Sequence, residues 1–113
     1  MSSIRIRKAP GTWSVRSGGA VLGESSNALE LEESGHEPVV YFPRSDIAMA
    51  FLDPSEKTSH CPLKGTATYY SIVNKSSVTK DAVWSYEDPV EGASAIEGYL
   101  AFVLSDSVKV EQI

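Results

Sequence analysis

Apolar and polar residues alternate with period two along most of this chain, which limits the fold to one built on half-buried strands. Ile4 and Ile6 alternate with Arg5 and Arg7, and Trp13 and Val15 repeat the pattern. In "ALELEE", Leu29 and Leu31 share a face and the glutamates take the other. Ser17-Gly18-Gly19 supplies hairpin-turn chemistry, since glycine reaches positive φ without a Cβ clash. "VVYF" reads as a short buried strand stopped by Pro43, "TATYYSIV" as a central strand and "AVWSY" as another, with "NKSS" turning between them. "DIAMAFL" reads as a strand with apolar residues on both faces; helix is the alternative. Asp53 to Lys64 is polar, carries Pro54 and Pro62, and predicts a long loop of the kind that commonly serves function. One short helix is expected near residues 90–97, opened by Pro89 or Val90 and closed by Gly98. "LAFVL", "SDS" and "VKVEQI" predict a closing hairpin. Roughly eight or nine short strands with a single short helix describe a mainly β domain, a sandwich or open barrel, over residues 1–113.

Charge excludes some functions. Ten basic against fifteen acidic residues give −5, which disfavours nucleic-acid binding by phosphate neutralisation. Residues 1–16 hold Arg5, Arg7, Lys8 and Arg16 and no acid; residues 24–37 hold Glu24, Glu30, Glu32, Glu33 and Glu37 and no Lys or Arg. Either the surface is polarised to steer a charged partner, or two neighbouring strands carry solvated faces of opposite sign. No apolar run approaches the ~18 residues of a membrane span, and "MSSIRIRKAP" lacks the apolar stretch of a secretory leader. With one cysteine, no internal disulfide can form, and a free thiol suits a reducing compartment, so the expectation is cytoplasmic.

The chemical candidates cluster in "SHCPLKGTATYYSIV". Cys61 beside His60 and Lys64 is either an activated thiol or a small buried anchor; alternation turns His60 away from it. "PLKG" lacks the frame of a phosphate loop, leaving Lys64 as a point charge for an anion or a solvated lysine. One cysteine and two histidines match no zinc spacing, so no metal or other cofactor is expected; magnesium would need Asp46, Asp53, Glu87 and Asp88 to converge. Ala82, Trp84 and Tyr86 share one face of their strand, Tyr69, Ser71 and Val73 one face of theirs, and such aromatics make either core or a pocket wall.

The stretches "VVYFPRSDIAMAFL", "TSHCPLKGTATYYSI" and "AVWSYEDPVEGASAIEGYLAF" resemble the bacterial and fungal family known as domain of unknown function 427, from about residue 12 to 110. The resemblance carries over Tyr41, Phe42, Pro43, Arg44, Asp46, Cys61, Pro62, Lys64, Gly65, Ala67, Tyr69, Ser71, Ala82, Trp84, Tyr86 and Pro89. It implies a β-tent, two antiparallel sheets meeting at an angle, held here by packing because the four-cysteine zinc site of many tent proteins cannot form. The family is sometimes labelled nucleotidyltransferase-like, but the G-S…D-x-D residues that hold magnesium in such enzymes are absent. Three readings follow. In the first, a small molecule, anionic ones included, binds beside the 53–64 loop: Tyr41, Tyr69, Trp84 and Tyr86 form the wall, Lys64 and Arg44 contact the anion, and Asp46 orients it. In the second, Cys61 is a catalytic nucleophile that attacks an electrophile or oxidised substrate, activated by Lys64 or a histidine. In the third, the domain binds another protein through a sheet edge or its acidic strand.

Overall fold

The basic and acidic stretches are neighbouring strands. In the computed structural model, which describes residues 3–113, β1 (Ile4–Lys8) pairs antiparallel with β4 (Leu29–Glu33), setting Arg5 opposite Glu32 and Arg7 opposite Glu30. Met1 and Ser2 of the stretch read for a leader lie outside the described residues. Arg7 reaches Glu30 at 2.9 Å and Glu32 at 3.3 Å. Exposed pairs of this kind contribute little to stability, about 0–1 kcal/mol each, but like charges in the same places would oppose the pairing. β5 (Val39–Tyr41) completes this sheet against β4.

A second sheet has the order β10-β2-β3: β2 (Trp13–Ser17) and β3 (Ala20–Ser25) form the predicted hairpin, and β10 (Val108–Gln112) lies along β2. The third contains β6 (Leu52–Cys61), β7 (Gly65–Val73), β8 (Val78–Ser85) and β9 (Ala101–Phe102) in that order. Every pairing is antiparallel.

The fold is mainly β, as expected, but has three sheets rather than two, and the reason lies in β7 and β8. Tyr69 faces Trp84 across the ladder, and Tyr70 faces Val83. Both faces of this sheet are therefore apolar, and each needs its own cover. One face, with Ile72, Val83 and Phe102, packs on Val15, Leu22 and Val108 of the second sheet. The other, with Ala67, Trp84 and Ala101, packs on Leu31 and Tyr41 of the first. Phe42 and Leu100 exchange backbone hydrogen bonds of 2.8 and 2.9 Å and tie the first sheet to the third.

Four local expectations are corrected. The expected helix at 90–97 is a run of 3₁₀ turns at Glu91–Ile96, broken at Ala93 (φ −118°, ψ 16°). So short a segment, containing Gly92 and lacking a side-chain cap, does not outweigh the cost of helix nucleation; it is held by burial of Ala93 and Ile96. "DIAMAFL" likewise forms 3₁₀ turns, Arg44–Asp46 and Met49–Phe51, rather than a strand. The 53–64 segment is not a loop: β6 runs to Cys61, and only residues 62–64 turn. As an edge strand exposed on both sides it shows no alternation, and Pro54 sits at the start of the register break between Pro54 and Thr58, an edge-strand position of the kind where proline is tolerated. Finally, "LAFVL" and "VKVEQI" form no hairpin, because β9 pairs with β8 while Val108 and Val110 pack with Val15 on the second sheet.

Candidate functional site

The sequence-predicted residues separate into two clusters, and of all of them only Trp84 borders the apolar groove. In the first, Tyr41, Cys61, Lys64, Tyr69, Trp84 and Tyr86 meet where β5 and the 61–65 turn approach β8. Tyr41 is completely buried, stands edge-on to Trp84 at 6.3 Å between ring centres, and accepts a 3.1 Å hydrogen bond from Trp84 Nε1. Burial is the main force that raises the Tyr41 pKa, to about 12; the Trp84 bond opposes it, while nearby Cys61, Glu33 and Tyr69 add to it. Tyr86 is buried and its pKa rises for the same main reason. Both tyrosines belong to the core, whereas Trp84 and Tyr69 are only partly buried against it.

Lys64 is nearly covered, with 14 % of its side chain exposed. Its ammonium lies 2.9 Å from Glu33 and 5.8 Å from the centre of the Tyr86 ring. Glu33 also meets His36 at 3.7 Å. The turn that delivers Lys64 docks on the 88–90 segment: Val90 donates its N–H to the Lys64 carbonyl at 3.0 Å. Gly65 there has φ +116°, in the region open almost only to glycine. Cys61 is half-buried, and His60 is hydrogen-bonded to Thr66 on the exposed face. Tyr69 is covered from the edge strand by Lys57, 4.7 Å from the ring centre, and Ser59.

Arg44 and Asp46 form the second cluster, a pair of clamps. Arg44 bonds Glu87 at 2.5 Å, the Gly98 carbonyl at 3.2 Å and the Tyr70 hydroxyl at 3.3 Å. Asp46 accepts from Ser25 at 2.6 Å. Glu87 is engaged by Arg44 and Ser85 and Asp46 by Ser25, so the four carboxylates considered for magnesium do not converge; among the described residues no group of three or more His, Cys, Asp or Glu could hold a metal ion.

Concave apolar surface lies elsewhere, at the outer edge of the third sheet, where β9 stops after two residues. A groove of about 470 Å³ opens there, lined by Trp13 and Val110 of the second sheet, Val39 and Val40 of the first, and Trp84, Phe102, Val103 and Leu104 of the third and its continuation, with Glu30, Glu37 and Pro38 at the rim. Of the predicted residues only Trp84 lines it; Cys61 and Lys64 take no part. Sequence reading missed the rest because each sheet gives only a few residues, distant in sequence. One signal was present: Val103 and Leu104 continue an apolar run past the strand end, and they are 46 % and 61 % exposed.

The raised Tyr41 pKa carries a pH prediction. An unfolded phenol ionises near 10, whereas the folded protein keeps Tyr41 protonated to about 12, so unfolding releases a proton in that interval. The stability present below pH 10 is therefore lost as pH rises towards 12, by about 2–3 kcal/mol from this residue. Urea unfolding at about pH 8 and about pH 11 should show the loss; Tyr86, raised for the same reason, loses stability over the same interval, so Tyr41→Phe should remove Tyr41's share and keep that of Tyr86. Equal losses in the two proteins would contradict this origin.

Across residues 5–113 the chain matches the family described as Domain of unknown function (DUF427). No curated protein matches it.

Proposed function

We propose that this chain, which belongs to the DUF427 family over essentially its whole length, is a binding module that holds a small molecule in the groove against Trp84. The observation behind this reading is the groove's composition: apolar side chains from all three sheets converge on one cleft large enough for a small ligand, and two of them are strongly exposed. Trp84 is pre-positioned by its bond to Tyr41 and by the edge-on contact, so little ordering cost remains to oppose binding.

Thiol chemistry at Cys61 has less support. Lys64 is committed to Glu33, and His60 is turned to Thr66. Protein binding through the acidic strand or a sheet edge also has less behind it. β4 is already neutralised by β1, and β6 carries the bulge, proline and lysine that discourage edge pairing.

Benzyl alcohol, a small neutral aromatic, is a suitable first probe. On titration, backbone amide shifts should concentrate at residues 39–40 and 102–104. Trp84→Ala should weaken binding about tenfold or more, as loss of a central aromatic contact does, while Lys57→Ala leaves it unchanged. Shifts centred on Cys61 and Lys64 instead would reject the groove.

A further inference from the structure

We propose that the groove selects a positively charged organic ligand, an ammonium carried on an apolar body, with Glu37 supplying the carboxylate that recognises it. The inference rests on the binding function proposed above and names the chemistry of its ligand.

Consider what the lining offers a polar group. Its only side-chain donors are two indole N–H groups, and both are used within the protein: Trp13 Nε1 donates to the Pro10 carbonyl at 2.9 Å and Trp84 Nε1 to the Tyr41 hydroxyl at 3.1 Å. What the indoles present to a ligand is π surface. The only other polar side chains in the lining are carboxylates. Glu30 is engaged by Arg7, which donates two hydrogen bonds to its Oε1 at 3.0 and 2.9 Å. Glu37 is exposed at the rim and makes no ion pair among the described residues.

No lysine, arginine or histidine lines the groove, and the two cations expected to bind an anion are held by Glu33 and Glu87. An anionic ligand would therefore meet a carboxylate and find no side-chain donor. A neutral ligand would gain only the apolar contact. An ammonium gains the apolar contact, the attraction of the indole and phenyl faces, and the Glu37 charge. A chain of net charge −5 adds long-range attraction of the same sign.

Benzylammonium, benzyl alcohol and benzoate share one aromatic body and differ in charge, so comparing them isolates the effect. Each is titrated into the full chain at low salt, followed by tryptophan fluorescence and by the amide shifts of residues 39–40 and 102–104. Benzylammonium should bind about tenfold tighter than benzyl alcohol, and benzoate weakest of the three. Added salt should shrink the advantage. Glu37→Gln, at an exposed rim position, should remove most of it, bringing benzylammonium close to benzyl alcohol measured on the same variant.

Equal binding of benzylammonium and benzyl alcohol, or tightest binding of benzoate, would overturn the cation selectivity and leave the groove function standing. An advantage undiminished in Glu37→Gln would overturn the assignment to that carboxylate. Failure of all three compounds to move the groove amides would overturn both proposals together.

Discussion

Replacing Tyr41 with alanine should destabilise the protein by about 3–5 kcal/mol, the range for truncating a large buried aromatic. Tyr41 has no exposed surface and fills the corner between the first and third sheets, beside Leu31, Tyr86 and Trp84. No rearrangement of neighbours refills that volume easily, because they sit on β4 and β8, strands of two different sheets, and on the segment after β8. Tyr41→Phe keeps the ring and removes only the acceptor for the Trp84 N–H, so it should cost less, about 1–3 kcal/mol. The two variants also separate packing from positioning. If Tyr41 orients Trp84 as a groove wall, Tyr41→Phe should weaken benzyl alcohol binding beyond what its small loss of stability explains. Urea unfolding midpoints and the same titration measure both effects. A cost below about 1 kcal/mol for Tyr41→Ala would mean the corner is not the packed unit described here.

How far the fold could be read in advance depended on whether a strand buries one face, two or none. β1, β2 and β4 have a polar and an apolar side, so their alternation was plain, and the charges of β1 and β4 even named them as possible neighbours. β7 and β8 read as strands from their alternation, but aromatics on both faces demand two covering sheets, and local spacing does not say which strands supply them. β6 buries almost nothing, so its run of polar residues has the composition of a loop. The same logic governs the site. The family pattern did identify residues that meet, Tyr41, Cys61, Lys64, Tyr69, Trp84 and Tyr86, yet most of them are occupied with one another or with Glu33. The groove is assembled from strand ends and edges of three sheets, and no local spacing encodes it.

Gly23→Ala tests the other end of the architecture and should cost about 3 kcal/mol or more. Gly23 has an ordinary backbone conformation, so the requirement for glycine is one of space. A Cβ there would lie 2.3 Å from the Asp46 carbonyl oxygen and 2.8 Å from Ile47 Cδ1. The isoleucine methyl could turn aside, but the carbonyl cannot move freely. Its own residue is held by Ser25 at 2.6 Å through the carboxylate and by the Pro43 carbonyl through the N–H at 3.0 Å, and two residues on Ala48 N–H donates to Leu22 at 2.8 Å. Relief would require the 44–48 segment to lift off β3, breaking the Gly23–Ile47 bridge and uncovering Ile47. That segment follows directly from β5, whose Val39 and Val40 line the groove, so the strain should also reach the binding surface. Gly19→Ala is the control: a Cβ there meets nothing within 4 Å, and its effect should lie between neutral and about 1 kcal/mol stabilising. Thermal and urea unfolding of the two alanine variants should therefore diverge widely. If Gly23→Ala matched Gly19→Ala in stability, the 44–48 clamp on β3 would not be a rigid contact, and Asp46 would be free for the ligand-orienting role expected of it from sequence.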